Sequence, residues 1–196
     1  MKRSHSVIAG IFIVILTVGV GISGISGIEI LQIRSSSGTQ YLPELDSSIK
    51  PVPVANIVQP KIGDVIGSLT IPRIKSVIAI IEGTGEKELK RGVGHYVGSV
   101  LPGVSDNSVL AGHRDSVFRH LGEVKIGDLI TVKNRYGSFV YEVHKIRIVK
   151  ANDRTVIVPS DEALLTLSTC YPFYFVGNAP KRYIVQAGLV IGEPIA

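Results

Sequence analysis

From residue 62 onward, short runs rich in Val, Ile, Leu and Thr recur between Gly, Pro, Asn and Asp residues. Runs of this length and spacing favour a β-barrel or sandwich over alternating βαβ units. A closed antiparallel barrel leaves no exposed sheet edges and is the most economical of these architectures. The sequence therefore predicts an all-β domain over residues 61–196. Its eight predicted strands are DVIGSLTIP, SVIAIIEG, NSVLAGH, DLITVKN, SFVYEVHKIRIV, TVIVP, ALLTLSTC and RYIVQAGLV.

Two other segments of this domain are typical of short helices, namely TGEKELKRGVG and DSVFRHLGEV. The sequence thus predicts an eight-stranded closed barrel with one or two short helices.

An uncharged apolar run covers residues 7–28. As a helix, these residues would extend about 33 Å, against a hydrocarbon thickness of roughly 30 Å. Lys2 and Arg3 precede the run and Glu29 follows it, so the positive-inside tendency places the amino terminus in the cytoplasm. The prediction is a cytoplasmic leader (1–6), a transmembrane anchor (7–28) and a Ser/Pro-rich linker (29–60) before an extracellular domain; a cleaved signal peptide is the alternative.

Composition excludes several classes of function. The net charge of +5 comes from scattered basic residues without a recognised nucleic-acid motif, so no nucleic-acid partner is expected. A single cysteine excludes an intramolecular disulfide. The Cys, His and acidic residues lack the spacing of zinc or calcium sites, and we expect neither a metal nor a cofactor.

The only cysteine, Cys170, ends the run ALLTLSTC. Because side chains alternate along a strand, Cys170 should share a face with Thr166 and Ser168, opposite the face of Leu165 and Leu167. Pro172 should end the strand near the cysteine and leave the thiol at the rim of the sheet. If the next strand pairs antiparallel, Arg182 lies opposite or diagonal to Cys170, where a guanidinium could favour a thiolate or hold a substrate oxyanion.

A cysteine nucleophile needs a proton donor for its leaving group, and histidine is the usual one. Of the five histidines, His5, His120 and His144 fit surface or structural roles. His95 and His113 both follow glycine beside β-type runs, and the residues alone leave the choice between them open. His113 ends the apolar run SVLAG, much as Cys170 ends ALLTLST.

Three motifs in order resemble the sortase family: TLSTC with its cysteine, AGHRD with its histidine, and KRYIVQA with its arginine. The longer string TLSTCYPFYFVGNAPKRYIVQAGL is most similar to class D sortases of Gram-positive bacteria, and GVGHYVGSVLPG resembles a segment upstream of the family's histidine. The resemblance spans about residues 62–192.

This resemblance implies a sortase-type β-barrel and a membrane-anchored cysteine transpeptidase. Its substrates would be surface proteins with LPxTG-like sorting signals, and its acceptor an amine of the peptidoglycan cross-bridge or of a lipid-linked precursor. By resemblance, Cys170 is the nucleophile and His113 the general acid and base. Arg182 positions the substrate and stabilises the oxyanion, His95 becomes structural, and Asp115 need not join a triad.

Two other functions fit the residues. One is a cell-wall cysteine hydrolase, in which water accepts the acyl group. The other is a non-catalytic barrel that binds wall material and keeps Cys170 buried and inert. In the sortase interpretation, the irregular stretch 147–160 just before the Cys170 strand is expected to form one wall of the groove that binds the sorting signal.

Overall fold

The β-type runs of the sequence form eight strands in the computed structural model, which describes residues 57–174, 177 and 179–192. The strands are β1 (Val65–Ile71), β2 (Ser76–Glu82), β3 (Val93–His95), β4 (Asp106–Ala111), β5 (Leu129–Asn134), β6 (Gly137–Lys150), β7 (Ala163–Tyr171) and β8 (Lys181–Ile191).

These strands close into a barrel in the order β1-β2-β3-β4-β7-β8-β6-β5. The predicted eight-stranded closed barrel is thus confirmed. The expectation that it would be antiparallel throughout is wrong, because β2 pairs with β3 and β4 pairs with β7 in parallel. A parallel pair needs a crossover between its strands. A short helix, α1 (Glu86–Leu89), lies between β2 and β3, and the β5–β6 hairpin lies between β4 and β7.

One predicted strand is misplaced. The run TVIVP, residues 155–159, is irregular, and the eighth strand is instead Val93–His95. The carbonyls of Val156 and Val158 accept hydrogen bonds from the Asn107 side chain, at 3.1 and 3.3 Å, in place of a strand ladder. Among the apolar side chains of this run, Val156 is buried against the sheet, whereas Ile157 and Val158 are exposed.

Helical structure is scarcer than the sequence suggests. Within TGEKELKRGVG only α1 is helical, and the end of that segment enters β3. The segment DSVFRHLGEV forms turns and a 3-10 helix, Leu121–Glu123. A further 3-10 helix, Pro72–Ile74, joins β1 to β2.

The barrel interior holds the main hydrophobic core. On β7, Leu165 and Leu167 are fully buried in this core, so the face predicted to lie opposite Cys170 is the one that points into the barrel. The other large side chains that are fully buried in this core are Tyr141, Phe118, Leu69, Ile71, Ile80, Leu110, Leu121 and Ile130.

The amino-terminal end of the described chain contacts the barrel. The Val58 amide donates a 2.9 Å hydrogen bond to Tyr136 Oη, and Ile57 packs against the core. The predicted leader, the anchor at 7–28 and most of the linker lie outside the described residues. Among the described residues, no helix is both long enough and apolar enough to cross a membrane.

The side chain of Tyr141 is buried in the core, and its hydroxyl accepts a 2.8 Å hydrogen bond from the Gly103 amide. We expect Tyr141→Phe to lower the free energy of unfolding by about 1–3 kcal/mol at pH 7, since a buried amide loses its partner. Burial raises the pKa of Tyr141 above its ordinary value. The contribution of Tyr141 to the free energy of unfolding should therefore be fully present below about pH 10. It should fall as the pH rises further, because the tyrosine ionises readily only in the unfolded chain.

Urea unfolding at pH 7 and at pH 10.5 checks both expectations. The difference in the free energy of unfolding between wild type and Tyr141→Phe should be smaller at the higher pH. Tyr136→Phe is the matched control, since its hydroxyl bonds the exposed Val58 amide. It should change stability by no more than about 0.5 kcal/mol. Equal losses in the two variants would contradict the role given to Tyr141.

Candidate active site

Cys170 lies at the predicted rim. It is the penultimate residue of β7, which ends at Tyr171 immediately before Pro172. The strand alternation places Cys170 on the outer face of the barrel with Thr166 and Ser168. The thiol is half-buried, and no hydrogen bond or ion pair engages it among the described residues. The cysteine is thus neither sealed in the core nor fully exposed.

Arg182 is the direct cross-strand neighbour of Cys170 in the antiparallel β7–β8 pair. Paired residues of neighbouring strands place their side chains on the same face of the sheet. The Arg182 Nη1 donates hydrogen bonds to the carbonyls of Ala179 at 3.1 Å and Lys181 at 3.0 Å. These two bonds fix one end of the guanidinium, and no other described residue bonds its Nε and Nη2 donors.

His113 reaches the same rim from the other side of β7. Strand β4 runs parallel to β7 with Ala111 beside Ser168. Beyond that pair, the Gly112 amide donates to the Ser168 carbonyl at 3.1 Å, and Thr169 Oγ1 donates to the Gly112 carbonyl at 2.7 Å. His113 follows Gly112 and Cys170 follows Thr169, so a continuation of the β4–β7 register would bring the backbones of His113 and Cys170 side by side.

Gly112, the residue before His113, packs directly against the ring of Phe118. A Cβ atom at Gly112 would lie 2.6 Å from the ring of Phe118, which is fully buried in the core. The Phe118 amide also donates a 3.0 Å hydrogen bond to the His113 carbonyl. The turn after β4 therefore packs on the buried ring of Phe118. This packing fixes the backbone direction at His113.

The other described histidines lie in different environments. His95 is buried in β3 and contacts Glu82. His120 is exposed and pairs with Glu123 at 2.7 Å, and His144 is exposed on β6. Asp115 is exposed as well. Of these histidines, His95 is enclosed by Glu82 and the backbone of Val100, whereas His113 directly follows the end of β4, the strand that pairs with the Cys170 strand. The assignment of His113 as the catalytic histidine stays a prediction.

Three aromatic rings pack together where the chain leaves Cys170. The Phe173 ring lies 5.2 Å from that of Tyr183 and edge-on to that of Tyr171 at 5.7 Å, measured between centroids. Burial, followed by the proximity of Tyr171, raises the pKa of Tyr183. These contacts hold the start of the β7–β8 loop against the barrel and so restrict the backbone next to the thiol.

A groove of about 200 Å³ opens on the outer face of β7 and β8, with Ser168, Arg182 and Ile184 in its lining. Of the three predicted site residues it contacts Arg182, whereas Cys170 and His113 are not among its lining residues. One wall comes from the end of β6 and the loop after it, within the stretch 147–160 expected from the sequence. The residues of this wall are Val149, Lys150, Ala151, Asp153, Val156 and Ile157, and the remaining lining residues are Thr84, Tyr96, Val109 and Ala111.

A larger cavity, of about 660 Å³, lies between β1 and the β5–β6 turn. Its lining contains none of Cys170, His113 and Arg182. We therefore assign the smaller groove, which contacts Arg182, to the candidate site.

Two hydrogen-bonded groups hold the loop that forms the groove wall. Thr166, on the outer face of β7, donates a 2.7 Å bond to Asn107 Oδ1, and the Asn107 amide binds two loop carbonyls. Within the loop, Asp153 accepts hydrogen bonds from the hydroxyl and the amide of Thr155, which lower the pKa of Asp153. Val156 packs against Val149 and Ile184. Sequence reasoning missed Asn107, because nothing in the run NSVLAGH distinguishes a loop anchor from an ordinary strand residue.

No group of three or more His, Cys, Asp or Glu side chains within the described residues is arranged to hold a metal ion. The absence of a metal or cofactor from the function stays a prediction.

Comparison with known proteins agrees with this layout. The family described as the sortase domain matches residues 69–190. Sortase D of Bacillus subtilis (strain 168) is 45% identical over 128 residues, a match that covers 65% of this chain and 65% of that protein. Rather more than a third of the relative therefore lies outside the match.

Solved sortase structures have the same barrel. A Clostridium perfringens Sortase D5 transpeptidase is 30% identical with a TM-score of 0.62, over 68% of this chain and 83% of that one. Sortase A from Corynebacterium diphtheriae is 33% identical with a TM-score of 0.61, over 68% and 64% of the two chains.

The structure is a closed eight-stranded barrel that carries a cysteine, a histidine and an arginine on one rim, and the sortase-domain match covers more than half of the chain. Together these observations define the class of protein. The chain belongs to the sortase family. Within that family it is class D-like, as its 45% identity to a Sortase D indicates.

Asn107 offers a test of how the groove wall is held. Asn107→Ala should free the loop of residues 151–160 and lower the free energy of unfolding by about 1–3 kcal/mol, because the buried Thr166 hydroxyl loses its acceptor. Limited proteolysis should cut within this loop faster than in the wild type. Asn152→Ala, the same change at an exposed position of the loop, should leave both quantities nearly unchanged. If both variants are cut at the wild-type rate, Asn107 does not anchor the loop.

Proposed function

We propose that the protein is a cysteine transpeptidase that cleaves LPxTG-like sorting signals of surface proteins and transfers them to an amine of peptidoglycan or its precursor. The observation that carries this proposal is the convergence of three strand ends. Arg182 is the cross-strand partner of Cys170 in the β7–β8 pair, and the β4–β7 pair, which ends at Ala111 and Ser168, supports a position for His113 on the other side of Cys170. Family membership supports the same roles for these residues.

The reaction begins with the Cys170 thiolate. Its Sγ attacks the carbonyl carbon of the sorting-signal threonine, and the resulting tetrahedral intermediate collapses as the bond to the following glycine nitrogen breaks. His113 gives its proton to that leaving amine. The product is a thioester between Cys170 and the threonine, together with a free carboxyl-terminal peptide.

In the second half of the reaction, His113 acts as a base and the Cys170 thiolate is the leaving group. The acceptor amine attacks the thioester carbonyl, His113 takes a proton from the attacking nitrogen, and the Cys170 thiolate leaves. The net change exchanges one amide bond for another. Water in place of the amine would give hydrolysis, so the enzyme acts as a transpeptidase only where the amine outcompetes water at the thioester.

Arg182 serves as a fixed cation beside the reacting carbonyl. Its Nη1 is held by two backbone carbonyls, so the side chain is oriented before substrate arrives. The remaining donors can bind the substrate backbone and the oxyanion that forms on attack. A lysine would supply the charge but not the planar, bidentate donor set.

The groove beside Arg182 is the proposed site for the sorting signal. Apolar side chains supply much of its lining, among them Val149, Val156 and Ile184. An extended peptide with an apolar leading residue would bury that residue against these side chains while its threonine carbonyl approaches Cys170. The irregular loop on one wall gives the groove a surface that can differ between relatives without disturbing the barrel.

We also propose that the protein is a single-pass membrane protein with its amino terminus in the cytoplasm and its barrel outside. The support is the uncharged run at residues 7–28 with Lys2 and Arg3 before it. This placement would put the thiol at the outer surface of the membrane, where sorting signals and wall precursors meet.

The proposal is tested with the full chain in detergent, LPxTG-like peptides, an amine acceptor and mass spectrometry of the products. Cleavage with ligation to the amine is expected, and Cys170→Ala should abolish both. His113→Gln and Arg182→Lys should each lower kcat/KM by about a hundredfold or more, since each removes a group that acts on the reacting atoms.

The matched controls are His120→Gln and Arg119→Lys, which make the same changes at exposed positions. Both should keep wild-type activity. Cys170-dependent hydrolysis that never yields an amine-linked product would replace the transpeptidase with a hydrolase. If no peptide gives any product that depends on Cys170, the catalytic proposal is wrong.

A further inference from the structure

A buried acid–histidine pair lies in the barrel and is not used by the proposed chemistry. Glu82, the last residue of β2, is 4% exposed, and His95, the last residue of β3, is 2% exposed. His95 Nδ1 lies 2.8 Å from Glu82 Oε2. Charged groups are rarely buried without a specific arrangement, and an apolar pair would be easier to accommodate at this position.

Hydrogen-bond geometry fixes where the protons of the pair must be. His95 Nε2 lies 2.9 Å from the Val100 carbonyl, which can only accept, so Nε2 carries a hydrogen. The short contact between Nδ1 and the Glu82 carboxyl group then requires one further proton between them. His95 therefore bonds Glu82 on one side and the backbone at Val100 on the other.

The contacts of His95 Nε2 with Ser99 and Val100 hold the turn that follows β3. Ser99 Oγ lies 3.2 Å from His95 Nε2, donates to the Tyr96 carbonyl at 2.8 Å and accepts from the Val109 amide at 3.1 Å. The Ser99 amide also donates to the Tyr96 carbonyl at 2.8 Å. Residues 96–99 thus form a turn tied to the buried histidine through Ser99 and Val100, and to β4 through Val109.

This turn carries a residue of the groove. Tyr96 is 41% exposed and lines the groove together with Thr84, on the side where β3 ends. Its ring packs over Gly98, where a Cβ atom would lie 2.7 Å from a ring carbon. The orientation of the Tyr96 ring therefore depends on the shape of the turn.

We propose that the Glu82–His95 pair is a positioning device that holds the 96–99 turn, so that Tyr96 bounds the groove and limits the size of the substrate side chain accepted there. This inference rests on the proposed function, because the groove must bind the sorting signal. Tyr96 determines specificity by contact, whereas Glu82, His95 and Ser99 act through it.

The test uses the full chain and peptides that vary the apolar leading residue of the sorting signal from small to large. Tyr96→Ala should shift the preference in kcat/KM toward larger residues by about tenfold, the scale of a change in an apolar pocket. Glu82→Leu and Ser99→Ala should shift it in the same direction, and most of the effect should appear in KM. Glu82→Gln keeps a hydrogen-bonding partner for His95 and should retain most of the wild-type preference.

A double variant separates positioning from a general loss of structure. If Ser99 acts through Tyr96, Ser99→Ala combined with Tyr96→Ala should shift the preference no further than Tyr96→Ala alone. Glu142→Leu, an exposed glutamate on β6, is the control and should keep the wild-type preference. Ser99→Ala removes a single oxygen atom, so it keeps the test available if Glu82→Leu does not fold.

Hydrogen exchange gives a readout that needs no substrate. The amides of Ser99 and Val109 should exchange faster in Glu82→Leu and in Ser99→Ala, while the β6–β8 ladder stays protected. Wild-type preference in these variants, additive shifts in the double variant, or unchanged exchange would overturn the inference and leave the transpeptidase standing. A wild-type chain that acts on none of the peptides would instead overturn the proposed function, and with it the role of Tyr96 in specificity.

Discussion

The arrangement of the site depends on how β7 is hydrogen-bonded. One edge of β7 pairs in parallel with β4 and the other pairs antiparallel with β8. The parallel pair brings the end of β4 to the same rim as the end of β7, and the antiparallel pair brings the start of β8 there. His113, which is distant from Cys170 in sequence, and Arg182, on the following strand, thereby belong to chain segments that reach the same rim. A slip of one residue in either register would turn Cys170 or a neighbour to the other face.

The same sheet separates the core from the chemistry. The inner face of β7 carries Leu165 and Leu167 into the barrel, and its outer face carries Thr166, Ser168 and Cys170, of which Ser168 lines the groove. The outer face is only partly covered, by a loop held through Asn107 and a small apolar cluster. The core can therefore stabilise the strands while the loop that covers the groove varies.

Much of this layout follows from local sequence patterns. Alternation in ALLTLSTC predicts the two faces of β7, Pro172 predicts its end, and the strand that follows predicts Arg182 as the cross-strand neighbour of Cys170. The residue pattern alone left His95 and His113 as alternatives, and only the resemblance of AGHRD to the family motif favoured His113, because pairing between distant strands is not contained in a local pattern. TVIVP has the composition of a strand, but its carbonyls bind Asn107 instead of a neighbouring strand. The Glu82–His95 pair likewise depends on the parallel β2–β3 register, which local sequence does not reveal.

The central claim is that Cys170 carries the acyl group between the two amide bonds. The most direct measurement is the intact mass of the full chain, quenched in acid during turnover of an LPxTG-like peptide without an amine acceptor. We expect a fraction of the protein to gain the mass of the peptide up to its threonine, on the fragment that contains Cys170, and to lose it when an amine is added. Product formation with no such adduct, or an adduct on another residue, would contradict the account.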